Sequence, residues 1–214
     1  DVNKRQNSGL VLPPRIAPTQ VMVIPIAQHK EGVLDKAYEL KSALLDAGFK
    51  VKVDDSDKSP GWKFAEQEMK GIPVRIEIGP KDIEAGKCVI CRRDTREKVE
   101  VALDQLAETV DALLKQMQSD MLEKARKHVE SHTYTATTRE EFEEIFATKT
   151  GFVKAMWCGE TSCEEAIKEN MAVTSRCMPF HQECLSDKCV YCGKPAKKMV
   201  YCCLLYTSDA ADEL

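Results

Sequence analysis

The first quarter of the chain alternates between apolar runs and an amphipathic stretch. Residues 21–26 form a continuous apolar run, which predicts a buried strand. Residues 31–47 carry apolar side chains three or four positions apart, which predicts a helix, and Gly48 is suited to the left-handed backbone just past a helix end. Residues 50–53 alternate as a second strand. A strand, helix and strand of these lengths predict a βαβ unit with parallel pairing.

The pattern continues with one short helix and more strands. Residues 62–70 predict a helix that ends at Gly71, and residues 79–82 predict a turn. Further strands with at least one apolar face are predicted at residues 74–78, 87–91 and 98–101. With the first two strands, these make five.

The second half begins with a long amphipathic pattern. From Leu103 to Ala125 apolar residues recur every three or four positions, which predicts one helix of about 40 Å joining two lobes. Thr138-Arg-Glu-Glu141 and Ser162-Cys-Glu-Glu165 are both patterns of a capping box that opens a helix. Short strands are predicted at residues 152–157, 172–174 and 199–201. These elements predict a small α+β lobe.

Six cysteines crowd the second lobe between positions 158 and 192. Cys189-Val-Tyr-Cys192 is typical of a metal knuckle, and Cys158 and Cys163 form a second pair upstream. Two such pairs can bring four thiolates to one tetrahedral zinc ion, and a closed four-thiolate site is structural. Three other possible ligands lie in the same stretch, so spacing alone leaves the quartet open: Cys177, His181 and Cys184. Buried free thiols and a disulfide cluster are the alternatives.

Composition narrows the class of protein. The 214 residues are 43% hydrophobic and 31% charged, which is typical of one large or two small globular domains, and no apolar run is long enough to span a membrane. Ten cysteines without a secretory signal indicate a reducing compartment, and we expect a cytoplasmic protein. The net charge of −4 means that contact with nucleic acid would use a local patch. Cys88 and Cys91 lie three apart on a predicted strand and face opposite ways, so we expect no shared metal there.

A set of charged residues lies on or next to the predicted strands of the first lobe. Arginine and carboxylates together can read the edges of unpaired bases and lysine can hold phosphate, as RNA-binding proteins require. The members are Glu68, Arg75, Lys81, Asp82, Arg93 and Lys98. The alternative is a solvated charged face of the sheet. We expect no catalytic residue, because the sequence has no phosphate-binding glycine loop and its four histidines are scattered: His29, His128, His132 and His181.

Several segments in series resemble one family, the prolyl-tRNA synthetases of the archaeal and eukaryotic type. Residues 9–26 resemble the junction between the catalytic core and the anticodon-binding domain of that family. The resemblance covers about residues 9–201. Its other segments are Lys63-Phe64, Glu68-Met-Lys-Gly-Ile-Pro-Val-Arg75, Glu77-Ile-Gly-Pro-Lys-Asp82, Thr174-Ser-Arg-Cys-Met-Pro-Phe180 and Cys189-Val-Tyr-Cys-Gly-Lys-Pro195.

The resemblance implies a fold and a set of site residues. The fold is α/β, with a mixed five-stranded sheet and flanking helices as the anticodon-binding domain, followed by a small α+β zinc-binding domain. The residues implied to recognise the anticodon guanines are Glu68, Arg75 and Asp82, supported by Lys81 and, by a weaker alignment, Lys98. Arg93 is added from the charge pattern alone. The zinc ligands implied are Cys158, Cys163, Cys189 and Cys192, which leaves Cys177 as a core thiol.

The resemblance also implies how the chain is divided. Residues 1–17 would be a linker from a missing catalytic domain, residues 18–102 the anticodon-binding domain and residues 103–132 a connecting helix. Residues 133–201 would be the zinc-binding domain. Residues 202–214 replace the short apolar tail of the family, and we expect this segment to be disordered or artefactual.

The partners expected from the resemblance are proline tRNA, bound through its anticodon, and the missing catalytic domain in cis. ATP and magnesium would bind only in that missing domain, so this chain is expected to bind tRNA weakly and to catalyse nothing. The family dimerises through the missing domain, which leaves the state of this chain open, and neither a membrane nor DNA is expected as a partner. Two other hypotheses remain: a free-standing RNA-binding adaptor, and a structural zinc protein without an RNA partner.

Overall fold

The computed structural model describes residues 9–204 and divides into two compact units between Glu123 and Lys124. Residues 1–8 of the predicted linker (1–17) and residues 205–214 of the predicted tail (202–214) lie outside the described residues. Among the helices of the described chain, none is long and apolar enough to cross a membrane.

The first unit begins with alternating strands and helices and ends with two antiparallel strands and a long helix. Its elements are β1 Val21–Pro25, α1 Val33–Asp46, β2 Val51–Val53, α2 Pro60–Lys70, β3 Val74–Ile78, α3 Pro80–Glu84, β4 Lys87–Arg92, β5 Lys98–Ala102, a 3-10 turn Leu103–Gln105 and α4 Leu106–Ser131. The boundary between the two units falls within α4.

The five strands form one mixed sheet in the order β2-β1-β3-β4-β5. Strand β1, an interior strand next to the edge strand β2, pairs in parallel with both β2 and β3, while β4 and β5 are added in antiparallel orientation. This confirms the predicted mixed five-stranded sheet. All five residues of β1 are buried, because this interior strand is covered on both faces of the sheet, and this agrees with its continuous apolar sequence. One face packs against a large core that includes Leu40, Val110 and Met117, and the other contacts Ile72 and Phe64.

The ends of the helices follow local sequence signals. Helix α2 starts two residues before its predicted start, because the Ser59 side chain accepts a hydrogen bond from the Trp62 amide and Pro60 fits the first turn. It ends at Gly71, which has a φ of 69°. Glycine suits this position for two reasons: the backbone is left-handed, and a Cβ would come within 2.8 Å of the Leu10 side chain. The turn predicted at residues 79–82 is wrong: the segment from Pro80 forms the short helix α3.

The second unit is a small α+β domain, as predicted. Beyond the end of α4 it contains β6 Thr133–Ala136, α5 Arg139–Thr148, β7 Phe152–Trp157, α6 Thr161–Met171, β8 Val173–Cys177 and β9 Lys198–Leu204. The strand order is β6-β7-β9-β8, with β6 and β7 parallel and the other pairs antiparallel. Strand β6 was absent from the sequence prediction, because Thr133-Tyr-Thr-Ala136 has too little apolar alternation to stand out.

Strand β9 runs three residues beyond the predicted end of the lobe. Cys202 is buried and pairs with Val153, and Leu204 pairs with Val173. Residues 202–204 therefore belong to the sheet and not to a disordered tail. The sequence interpretation missed this because it treated residues 202–214 as one segment, whereas the strand pattern continues through Cys202-Cys203-Leu204.

The two predicted capping boxes have different outcomes. At Thr138 the prediction is confirmed, since the Thr138 hydroxyl accepts from the Glu141 amide and the Glu141 carboxylate accepts from the Thr138 amide. At Ser162 the prediction is wrong. Helix α6 starts at Thr161 with Glu160 as its N-cap, so Ser162 already lies inside the first turn.

Candidate nucleic-acid interface and metal centre

Arg75 and Glu77 occupy the polar positions of β3, between the buried core residues Val74, Ile76 and Ile78. Across the sheet Arg75 pairs with Cys91, and Cys91 pairs with Lys98. Because residues opposite one another in a sheet share a face, these three side chains form a row across β3, β4 and β5. Strand pairing therefore brings together two of the residues predicted from the sequence, Arg75 and Lys98.

The Arg75 guanidinium is held on three sides. It lies over the Phe64 ring with its central carbon 4.0 Å from the ring centroid, and its Nε donates to Glu77 Oε1 at 3.0 Å. Its Nη1 lies 3.5 Å from Glu68 Oε1. Only 10% of the side chain is exposed. An arginine stacked on an aromatic ring and fixed by carboxylates presents its donors in one orientation.

Lys98 and Glu68 form the outer rim of this site. Lys98 Nζ lies 3.0 Å from Glu77 Oε2 and 5.5 Å from the centroid of the Phe64 ring. Glu68 Oε2 lies 3.8 Å from Arg96 Nη2, and the Glu68 side chain is one-third exposed. Both contacts of the Glu68 carboxylate are long for hydrogen bonds, so its oxygens can still accept from a ligand.

Lys81 and Asp82 lie on α3, directly after β3. Asp82 Oδ2 accepts from the Gly79 amide at 2.8 Å, which caps α3, while Lys81 is exposed. Within residues 9–204 no hydrogen bond or ion pair joins Asp82 to Arg75. The structure therefore places these two predicted residues at the end of the same strand, outside the arginine–carboxylate network.

Arg93 has a different environment from the other predicted residues. Its side chain is nearly buried, and its Nε donates to the carbonyls of Leu10 at 3.1 Å and Glu68 at 3.3 Å. Its backbone amide donates to Pro73 at 2.9 Å. The guanidinium thus ties the N-terminal segment to the end of α2, and it does not lie on the exposed rim.

Sequence reasoning left out three residues that complete this site, namely Phe64, Glu77 and Arg96. Phe64 lies four residues before Glu68 on α2, so helical spacing could have placed both on one face. Glu77 follows Arg75 at the two-residue spacing of a strand face. Arg96 has a φ of 62°, in the turn between β4 and β5, and nothing in its sequence context signals its position beside Glu68.

Four cysteine sulfurs converge in the second unit. The Sγ atoms of Cys163 and Cys189 lie 3.7 Å apart, those of Cys158 and Cys192 lie 3.6 Å apart, and all four lie within 4.8 Å of one another. A tetrahedral ion with metal–sulfur bonds of about 2.3 Å needs sulfurs about 3.8 Å apart. The cluster is therefore compatible with a structural metal ion bound by four thiolates.

Local structure explains how the four ligands meet. Cys158 follows β7, and Cys163 lies in the first turn of α6. Cys189 and Cys192 flank a tight turn in which the Gly193 amide donates to the Cys189 carbonyl at 3.0 Å, and Gly193 has a φ of 72°. A residue with a Cβ would be strained at this φ, so the turn favours glycine at this position.

The pKa values of three cysteines of the cluster are shifted, and not all in the same direction. Burial raises the pKa of Cys158 and of Cys163. Burial acts in the same direction on Cys189, but backbone amides, first among them that of Cys192, outweigh it and lower the pKa of that thiol. A metal ion supplies the positive charge that keeps buried sulfurs as thiolates.

The other candidate ligands lie outside the cluster. Cys177, Cys184 and His181 are exposed, so the expectation that Cys177 is a core thiol is wrong. Cys88 packs in the core of the first unit, where burial and then the charge of Asp82 raise its pKa to about 11. Among residues 9–204, the four-cysteine cluster is the only group of three or more potential metal-ligating side chains close enough to share an ion.

Two family models match the chain, one for each unit. Residues 20–113 match the anticodon-binding domain, which contains the Arg75 site. Residues 139–206 match the C-terminal domain of prolyl-tRNA synthetase, which contains the four-cysteine cluster. The second match extends past Tyr201 and agrees with the observed length of β9.

Curated relatives agree with both family models. The chain is 65% identical over 195 residues to a proline–tRNA ligase of Lachnospira eligens, covering 91% of this chain and 41% of the relative. It is 63% identical to a proline–tRNA ligase of Lachnoclostridium phytofermentans, in a match that covers 91% of this chain and 40% of the relative. It is 61% identical to a proline–tRNA ligase of Clostridium novyi, in a match that covers 91% of this chain and 41% of the relative. The chain spans about two-fifths of the length of these relatives. It belongs to the prolyl-tRNA synthetase family, of which it carries the anticodon-binding domain and the C-terminal domain.

Proposed function

We propose that this chain is the tRNA-recognising part of a proline–tRNA ligase and that it selects proline tRNA by its anticodon. The observation that carries the proposal is the arginine–carboxylate site around Arg75, which lies inside the match to the anticodon-binding domain. The relatives named proline–tRNA ligase support the identity of the tRNA. The free-standing adaptor stays a less supported alternative, because these relatives are longer proteins with that name.

Guanine fits this site by its hydrogen-bonding groups. An arginine held in a fixed orientation can donate two parallel hydrogen bonds to guanine O6 and N7. Carboxylates accept from the N1 and N2 hydrogens of guanine, which no other standard base presents together. We assign the donor role to Arg75 and the acceptor roles to Glu68 and Asp82. Binding would replace the long contact between Arg75 and Glu68.

Lys81 and Lys98 are assigned to backbone phosphates or to the guanine oxygen, because Lys81 is exposed and half of the Lys98 side chain is exposed. Lys98 can exchange its ion pair with Glu77 for a phosphate at little cost. Arg93 is assigned an indirect part, because its contacts hold Glu68 and the Leu10 segment in place. None of these side chains is assigned to catalysis.

The metal of the C-terminal domain is proposed to be zinc. Four thiolates in a closed tetrahedral arrangement are a typical structural zinc site, and an ion there would contribute folding free energy to a domain with a small core. Cys158, Cys163, Cys189 and Cys192 would be its ligands.

The remaining roles belong to the longer protein. We propose that a catalytic domain in cis binds ATP, magnesium and proline and provides the dimer interface, so that the present chain by itself does not activate proline. The cytoplasmic location stays a prediction. Proline-dependent pyrophosphate exchange by the purified chain would contradict this division of labour.

Binding of the purified chain to a proline tRNA transcript tests the proposal. A matched transcript has both anticodon guanines changed and the rest unaltered. We expect at least tenfold weaker binding to the changed transcript, at about 1–3 kcal/mol per lost base contact. Equal binding to both transcripts would refute anticodon reading by this chain.

A further inference from the structure

The turn that carries Cys189 and Cys192 also carries a concentration of positive charge. Between residues 187 and 198 there are four lysines and a single acidic residue, Asp187, in a chain whose net charge is −4. All four lysines are exposed: Lys188, Lys194, Lys197 and Lys198. Lys194 forms an ion pair with Glu160, which partly neutralises its charge. The three other lysines form no ion pair within the described part of the chain.

The backbone that carries these lysines is fixed. The Cys189 amide donates to the Lys194 carbonyl at 2.8 Å, and the Ala196 amide donates to the Asp187 carbonyl at 2.9 Å. The Lys197 amide donates to the Trp157 carbonyl at 2.8 Å, which joins the turn to β7. The lysine side chains therefore project from a hydrogen-bonded hairpin and not from a loose loop.

A fully exposed aromatic ring is anchored to the same region. Phe180 is completely solvent-exposed, at 104% of its reference area. The loop that carries it is held by Gln182, whose Oε1 accepts from the Met199 amide at 2.7 Å and whose Nε2 donates to the Pro179 carbonyl at 2.6 Å. Met199 directly follows Lys198 on β9. The fold thus holds an unburied phenyl ring in a loop tied to the lysine-bearing strand.

We propose that Phe180, Lys188, Lys197 and Lys198 form a second RNA-binding surface, which takes an unpaired base and the adjoining phosphates of a single-stranded segment. Exposed aromatic rings stack on bases and neighbouring lysines neutralise phosphates, and this combination binds single strands with little sequence preference. Lysine is depleted at protein–protein interfaces, so the three lysines favour a polyanion over a protein partner. This proposal adds a second RNA contact to the proposed function. It does not depend on anticodon recognition, because this surface would bind RNA whether or not the anticodon is read.

Salt dependence of binding tests the lysines. The double variant Lys197→Gln/Lys198→Gln is titrated with a fluorescent polyuridylate and with the proline tRNA transcript over a range of salt concentrations. We expect the slope of log affinity against log salt for polyuridylate to fall by about 1.4, since each phosphate contact to a single strand contributes about 0.7. The matched control Lys149→Gln/Lys168→Gln removes the same charge from exposed positions of the same unit and should leave the slope unchanged.

Phe180→Ala tests the stacking contribution. It should weaken polyuridylate binding about fivefold or more at constant salt and leave the salt slope unchanged. All variants should retain one equivalent of bound metal, which shows that the hairpin is intact. An unchanged slope in the lysine double variant, or an unchanged affinity in Phe180→Ala, overturns the proposal and points instead to a protein contact on this surface.

The two proposals fail in different ways. If anticodon reading fails, changing the guanines has no effect, while the lysine variant still lowers the salt slope. If the second surface fails, changing the guanines still weakens binding, while the lysine variant behaves like its control.

Discussion

Arg75 is the side chain that connects the separate parts of the candidate anticodon site. It contacts Phe64 from α2, Glu77 from its own strand and Glu68 from the far end of α2. Without the Arg75 guanidinium, Glu77 would keep its ion pair with Lys98 and Glu68 its longer contact with Arg96, but nothing would join the two carboxylates. Its replacement therefore separates the effect of positive charge from the effect of geometry.

Arg75→Lys should weaken binding to proline tRNA about tenfold or more. Lysine keeps the charge but cannot make two parallel hydrogen bonds, and the loss is expected at about 1–3 kcal/mol. Equilibrium binding at fixed salt measures the change. Arg126→Lys is the control, because Arg126 is exposed on α4 and has no part in the Arg75 site, and it should change binding less than threefold.

Lys63 is the most unusual buried residue of the first unit. It is 2% exposed, and its Nζ donates to Gln28 Oε1 and to the Asp54 carbonyl, both at 2.8 Å. It thereby joins α2 to the loops that follow β1 and β2. Sequence reasoning did not predict this role, because lysine is seldom buried and the two acceptors are distant in the chain.

Lys63→Met should destabilise the first unit by about 2 kcal/mol. The methionine fills the space but leaves two partly buried oxygens, Gln28 Oε1 and the Asp54 carbonyl, without the donor that Lys63 supplied. Urea unfolding followed by hydrogen exchange of β1 and β3 amides measures the loss. Lys70→Met is the matched control on the same helix, where only an exposed pair with Glu66 is removed, and its effect should stay under about 0.5 kcal/mol. Equal effects of the two variants would contradict the assigned role of Lys63.

At the scale of elements, periodicity predicted most of the strands and helices, but it missed β6 and the short helix α3 and did not predict where several elements begin and end. The five strands of the first sheet follow from apolar runs and alternation in residues 21–101. The predicted start of α6 was wrong because Ser162-Cys-Glu-Glu165 has the composition of a capping box but lies inside the helix. The helix begins at Thr161, shortly after Cys158. Such a position depends on the fold around the cysteines and not on local preference.

The residues of the candidate site also divide into those that local sequence patterns predict and those whose positions depend on distant contacts. Arg75 and Lys98 could be predicted because strand alternation and register decide which residues share a face. The buried position of Arg93 could not be predicted, since it depends on carbonyls of Leu10 and Glu68 that are distant in sequence. The cysteine quartet followed from the resemblance, while its convergence follows from the positions of β7, α6 and the knuckle.

Thr138→Ala should destabilise the second unit by about 1 kcal/mol, because the hydroxyl that accepts from the Glu141 amide is lost at a helix start. Ser162→Ala should change stability by less than about 0.5 kcal/mol, because Ser162 caps no helix. Both substitutions remove one exposed hydroxyl, so chemical unfolding of the two variants gives a direct comparison. A larger loss for Ser162→Ala would mean that α6 begins elsewhere.

At the scale of the whole molecule, the two units are stabilised in different ways. The first unit has a large apolar core around its five-stranded sheet. The second has a smaller core that includes all the buried cysteines of the proposed metal centre. Loss of the metal should therefore affect the second unit selectively.

Thiol labelling before and after chelation tests this difference. With metal bound, iodoacetamide at neutral pH should label the exposed Cys177 and Cys184, while Cys88 stays protonated because burial raises its pKa to about 11. A zinc chelator should add the four ligand cysteines to the labelled set and leave Cys88 protected. Mass spectrometry locates the labels. Labelling of the four ligands before chelation would contradict a bound metal.

The central claim is that Arg75 reads an anticodon guanine, and a double-mutant cycle tests it most directly. Binding is measured for the unsubstituted chain and Arg75→Lys, each with the proline tRNA transcript and with the transcript whose anticodon guanines are changed. The account predicts that Arg75→Lys weakens binding about tenfold to the first transcript and hardly at all to the second, a coupling of about 1 kcal/mol or more. Equal weakening with both transcripts would mean that the contribution of Arg75 to binding does not depend on the anticodon guanines and would contradict the account.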